Sequence, residues 1–232
     1  MNILSLDTCF DACSAAAGRG LRSLTPAIWF LSETMQTGHA ERLLPMVETV
    51  MAEAGLPFKA LDRIAVTYGP GTFTGTRICV SAARALALAT GAEFVSLTSL
   101  RLMAMSPRIP AAPTKRIAIA TDARRGEVYF EVFDRHSMQT AVEAQCAAVP
   151  SAAQLLGRDP IVIAGSGAEQ LAAEAVRHGI DATAILPDLL PDALDMLFPA
   201  CEMPLTRTLK PLYLRAPDAK PPAPSPFIGA GV

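Results

Sequence analysis

The stretch from Ile64 to Ala89, IAVTYGPGTFTGTRICVSAARALALA, constrains this chain more than any other. A short β-branched run, Ile64 to Thr67, stops at the turn Gly69-Pro70-Gly71-Thr72-Phe73-Thr74-Gly75, and a helical pattern follows at once. Strand, glycine turn and helix together aim backbone N–H groups and a helix N-terminus at an anion. The same residue types also make a tight turn in which glycines permit close packing. A phosphate loop of the Walker kind needs a lysine before the helical Ser/Thr, and Thr76 and Arg77 stand in those places.

From Arg77 to Thr90 the helix carries Ile78, Val80, Leu86 and Leu88, with Ala82, Ala83, Ala85, Ala87 and Ala89 filling much of the rest. Apolar residues lie nearly all round it, so it is expected to be covered on more than one side. A second helix, about 39–54, comes before it and is closed by Gly55 as a C′ residue. Leu43, Val47, Val50 and Ala54 form its stripe, Leu44, Met46 and Met51 lie outside that stripe, and Pro45 inside the pattern predicts a slight kink. Two adjacent helices with this much apolar surface predict a partner contact. Its candidates are Leu43, Met46, Val47, Val50, Met51, Arg77, Val80, Ala83, Arg84 and Ala87.

Five segments, in this order, carry a resemblance: LSLDTC, GHAERLLPMV, GPGTFTGTRI, TDARRGEVYF and PLYLR. They resemble the TsaB (YeaZ-like) family, the dimerisation subunits of the bacterial machinery that makes tRNA threonylcarbamoyladenosine. Thr72, Thr76 and Ala40 depart from the usual Ser, Leu and Ser of those motifs, and no charged or glycine position is disturbed. The resemblance implies the actin-like or Hsp70-like ATPase (ASKHA) fold, an α/β fold of two similar mixed-sheet lobes. It implies a non-catalytic scaffold that pairs with the transferase TsaD, is helped by the ATPase TsaE, forms a homodimer when alone, and meets tRNA only through the complex.

Composition agrees. The chain has 232 residues, 51% hydrophobic and 18% charged, with a net charge of −2. No long run of Lys or Arg offers the basic face that a direct grip on a nucleic-acid backbone needs. Cys9, Cys13, Cys79, Cys146 and Cys201 contain no CxxC and read as buried thiols of a reducing cytoplasm. No apolar run reaches the length of a membrane span, and the first residues do not read as a signal peptide.

The pattern divides into 1–105, a proline-rich joint at 106–113, and a partial restart over 114–215. In the restart, 116–121 and 127–133 read as a hairpin closed at Arg125-Gly126. Ile161–Ala164 is a buried strand that runs through Gly165-Ser166-Gly167 into a helix. Residues 216–232 hold five prolines and read as a disordered tail.

Catalytic chemistry has few anchors. His39, His136 and His178 form no metal-binding spacing, and no G-x-S-x-G elbow exists. In TsaD a histidine pair that holds a metal follows the same strand–glycine–helix unit. Ungapped placement puts Ser99 and Met103 at those positions, so no metal is expected. Asp7 and Asp122 end the first strand of each half and, with Gly71, are the candidates for residual ATP or ADP binding. The other reading makes both aspartates caps of their turns. The alternative function is an active ATPase of this fold or a glycoprotease-type metallopeptidase.

Overall fold

A computed structural model describes residues 1–111 and 113–215. The tail expectation for 216–232 lies outside the described residues.

The chain builds one sheet plan twice. In the first half, β1 (Ile3–Asp7), β2 (Ala12–Arg19) and β3 (Ala27–Thr34) form an antiparallel meander. α1 (His39–Glu53) then leads to β4 (Arg63–Thr67), which lies parallel to β1, and α2 (Phe73–Thr90) leads to β5 (Glu93–Leu97), parallel to β4. A short α3 (Ser99–Ala104) crosses to the second half. There β6 (Arg116–Asp122), β7 (Glu127–Asp134) and β8 (Thr140–Ala148) repeat the meander. α4 (Val149–Leu155), β9 (Ile161–Ala164), α5 (Ala168–Arg177) and β10 (Ala182–Ile185) repeat the two parallel additions. The sheet orders β3-β2-β1-β4-β5 and β8-β7-β6-β9-β10 are therefore the same order. This is the two-lobe arrangement of the actin-like ATPase fold.

Helix ends follow local chemistry. Thr72 caps α2, its hydroxyl accepting from the Gly75 N–H at 3.0 Å. α1 runs unbroken through Pro45 and closes at Gly55, whose φ is +55°, with the Leu56 N–H returning to the Met51 carbonyl at 3.0 Å.

Each sheet is covered on both faces. Leu4, Leu6, Ile64 and Val66 pack under α1 and α2. Ile3, Ala65 and Val95 on the opposite face pack under Ala193, Met196, Leu197 and Ala200, from two 3-10 turns late in the chain. Ser5 donates to the Ala193 carbonyl at 2.7 Å, and the Ala193 N–H donates to Ser14 at 3.0 Å, which pins this returning segment. In the second lobe α4 and α5 cover one face, while Leu100 and Met103 of α3 cover the other against Ile117, Ile119 and Phe133.

The sequential division at the joint is thereby corrected. α3, assigned to 1–105, packs on the second sheet. Residues 193–201, assigned to the second lobe, pack on the first. A sheet apolar on both faces needs cover on both, and each lobe takes its second cover from the other's stretch of chain.

Candidate functional site

Between the lobes meet the places where this fold would hold a nucleotide: the ends of β1 and β6, and the turns before α2 and α5. The β1 end and the turn before α2 are joined to one another. The Thr72 N–H donates to the Cys9 carbonyl at 2.7 Å, and the Thr8 hydroxyl donates to the Gly75 carbonyl at 2.7 Å. A Cβ on Gly71 would stand 2.1 Å from the Cys9 oxygen, and one on Gly75 2.0 Å from the Thr8 oxygen. These glycines serve an approach of backbone to backbone, and the space beside Gly71 is filled by Cys9.

Asp7 lies beneath this joint with no exposed surface. It accepts from the Thr67 hydroxyl and from the Cys9 N–H. Burial pushes its carboxyl up to about 7, against the lowering effect of the Thr67 and Cys9 hydrogen bonds. Cys9 and Cys79 flank Thr67 at 3.3 and 3.8 Å, and burial holds both thiols well above their ordinary range. Asp7 therefore does not reach the cleft. It does not fit the role of a carboxylate beside a nucleotide's metal, and the candidacy of Asp7 is corrected by this packing, whereas Gly71 is only partly buried and borders the inter-lobe cavity. Four of the cysteines are buried as expected, while Cys146 is only partly so.

Ser99 and Met103 are equally committed. The Ser99 hydroxyl donates to the Pro70 carbonyl, and its N–H donates to the Gly69 carbonyl at 2.9 Å. Met103 is buried in the contact between α3 and the second sheet. Neither side chain offers the imidazole that a metal would need there. Among the described residues no three His, Cys, Asp or Glu side chains cluster as ligands would.

Asp122 differs. It is exposed, accepts from the Arg124 N–H at 2.8 Å, and lies with Gly71 beside a cavity of about 350 Å³. Phe10, Asp11, Thr121 and Leu189 also line it. A second cavity of about 620 Å³ shares Asp11, Ser166 and Leu189 and adds Asp188, Asp192 and Asp195. Burial, and then repulsion from Asp192, pushes Asp195 up to about 6. The cleft carries five carboxylates against the guanidinium groups of Arg108 and Arg124. That field opposes a polyphosphate.

The outer helices present a different surface from the one the pattern predicted. Leu43, Met46, Val47, Val50, Met51, Val80 and Ala83 are at most 2% exposed and belong to the lobe's own core. Enclosed side chains touch no partner, so these seven interface candidates are corrected. Arg77 and Arg84 are exposed and Ala87 is half-buried. The pattern passed over Leu44, Phe73 and Leu88, which are 49%, 55% and 90% exposed. Phe73, Arg77, Arg84 and Leu88 recur at steps of four, seven and four residues, the spacing of one helix face. Arg77 lies over the Phe73 ring at 3.7 Å and donates to the Tyr213 hydroxyl at 2.7 Å.

A family model described as "TsaD: tRNA N6-adenosine threonylcarbamoyltransferase" matches residues 31–198. The tRNA threonylcarbamoyladenosine biosynthesis protein TsaB of Escherichia coli is 30% identical over 93% of this chain and 95% of its own length. This chain belongs to the TsaB (YeaZ-like) family. TsaB of Haemophilus influenzae is 31% identical over 60% of this chain and 57% of its own length. A solved structure of YeaZ from Pseudomonas aeruginosa, 27% identical, superposes over 92% of this chain and 99% of that one with a TM-score of 0.69.

The TsaB-like motifs converge in space. His39, at the start of α1, places Nε2 3.0 Å from the Phe10 carbonyl and so ties α1 to the β1–β2 turn. The Leu212 N–H donates to the Tyr68 carbonyl at 2.7 Å. Arg215 then crosses to the second lobe, pairing with Glu127 at 3.0 Å and donating to the Ala123 carbonyl at 2.9 Å. The late Tyr-Leu-Arg is thus a strap from α2, through Tyr213, to the β6–β7 hairpin.

Proposed function

We propose that this chain is a scaffold subunit of tRNA N6-threonylcarbamoyladenosine synthesis, acting beside a TsaD-type transferase rather than performing the transfer itself. The observation that carries the reading is the conversion of nucleotide and metal positions into packing. Asp7 is sealed under Thr67, Gly71 abuts Cys9, and Ser99 holds the Gly69-Pro70 turn. The end-to-end likeness to E. coli TsaB supports the pathway.

The outer face of α1 and α2 is the partner surface in this reading. Glu41 and Glu48 are exposed on α1, and Arg77 and Arg84 on α2, with Leu44 and Leu88 among them. One such face can meet a copy of itself in a homodimer or the matching helices of a transferase of the same fold. The complex works in the cytoplasm with a TsaE-type ATPase, and tRNA is held by the assembly.

The test is transfer onto tRNA by the purified transferase and the ATPase, with and without this chain. Modification that depends on the chain, while the chain alone neither hydrolyses ATP nor cleaves peptides, is the expected result. Turnover of ATP or peptide by the chain alone would favour the active ATPase or metallopeptidase instead.

A further inference from the structure

The cleft between the lobes has lost the features that suit a nucleotide, yet it has not closed. Its cavity of about 350 Å³ is lined by Asp11 and Asp122 together with Phe10, Leu189 and Tyr129. Thr121 also lines it. Thr121 is 3% exposed, and its hydroxyl oxygen is the one buried side-chain polar atom among the described residues without a hydrogen-bond partner. The direction of that side chain follows from β6. Ile117 and Ile119 pack toward α3, whereas Ala118 and Ala120 pack toward α4 and α5. Thr121 continues the first set and so faces the cleft. An unpaired buried hydroxyl is unfavourable, and a polar ligand atom would offset that cost.

The walls are fixed before any ligand arrives. The Met35 N–H donates to the Asp11 carbonyl at 2.9 Å, and the Asp122 N–H donates to the Ser166 hydroxyl at 3.0 Å. The Asp11 carboxylate has no ion pair among the described residues, Asp122 has only the largely exposed Arg124 guanidinium, 3.6 Å away, and Arg215, the nearby cation of the strap, is paired with Glu127.

These features select a ligand class. Carboxylates in excess oppose phosphates. Among the described residues no three carboxylates or imidazoles converge as metal ligands. Apolar rings and leucines beside the acids suit a cation that carries a hydrocarbon body. A primary ammonium has three N–H donors, and Asp11, Asp122 and Thr121 provide three acceptors.

We infer that the inter-lobe cleft binds a small organic amine, its ammonium group held by Asp11, Asp122 and the Thr121 hydroxyl. The inference is independent of the partner role and survives or fails without it.

The experiment is calorimetric titration of the full chain with 1,4-diaminobutane, alongside MgCl₂ alone and ATP with Mg²⁺. Saturable binding of one diamine per chain is expected, weakened about tenfold by Asp11→Asn, as for loss of a charge-assisted hydrogen bond. Thr121→Val should weaken it several-fold while leaving the melting temperature of the free protein equal or higher, since the variant removes an unpaired hydroxyl. Asp11 is exposed, so Asp11→Asn remains informative even where the Val variant folds poorly. No saturable diamine binding, binding indifferent to Asp11→Asn, or equal competition by Mg²⁺ alone would overturn the inference.

Discussion

Asp7 and Asp122 occupy the same place in two lobes of the same topology, yet one is sealed and the other open. Each is the last residue of the central strand from which its lobe's meander and parallel additions spread. Over Asp7 the turn before α2 closes down, because Gly71 and Gly75 let it rest on the carbonyls of Cys9 and Thr8. Over Asp122 the turn before α5 also rests on its strand, the Gly167 N–H donating to the Ala120 carbonyl at 3.0 Å, but Ser166 meets only the Asp122 backbone and the carboxylate stays exposed. A shared sheet plan therefore does not fix the chemistry at its strand ends. The residues that approach them do.

The glycines offer the sharpest way to break this comparison. Gly75→Ala forces a Cβ against the Thr8 backbone carbonyl, which cannot rotate away. Gly167→Ala, in the equivalent turn, meets first the end of the Val128 side chain at 2.9 Å. Urea denaturation should show a loss of more than about 3 kcal/mol for the first and about 1 kcal/mol for the second. Equal losses would mean that the two turns are packed alike.

A smaller effect separates the aspartates themselves. Asp7 has a folded-state value near 7, raised from 3.8 by burial. Between those values the unfolded chain gives up the proton while the folded chain keeps it, so this group makes stability fall as pH rises through the window and adds no penalty below it. Asp7→Asn should flatten that fall and raise stability above pH 7 by about 2 kcal/mol. Asp122→Asn, at an exposed carboxylate, should change stability by less than about 0.5 kcal/mol. An unaltered profile in Asp7→Asn would show that Asp7 is not sealed.

Much of the fold was legible because its signals are local and periodic. The strand at Ile64–Thr67, both long helices, the Gly55 stop and the hairpin at Arg125-Gly126 were all set by hydrophobic spacing and turn residues. α3 was not read as a helix, since six residues carry too little periodicity. β8 and α4 were missed because their alanines blur the alternation, although the Pro in the first turn of α4 was a usable start signal. The candidate site was less legible. Counting apolar residues on α1 and α2 found an over-apolar pair but could not say which side faced inward. Leu43 and Leu44 are neighbours in sequence, yet one is 1% exposed and the other 49%. The exposed steps from Phe73 to Leu88 were present in the sequence and could have been found by following the arginines. Nothing local to Asp7 announces that Cys9 and Thr67 close over it, because that contact joins three separate strands and turns.

The central claim is that the outer face of α1 and α2 joins a partner while the inner face builds the lobe. Arg84→Glu combined with Leu88→Glu alters only side chains that the lobe leaves exposed. Light scattering coupled to size exclusion, with capture of the TsaD-type transferase measured on the same sample, tests it. The double variant should melt within a few degrees of the unaltered protein, elute as a monomer and fail to capture the transferase. A folded double variant that captures the transferase as well as the unaltered chain would contradict the claim and move the partner surface elsewhere.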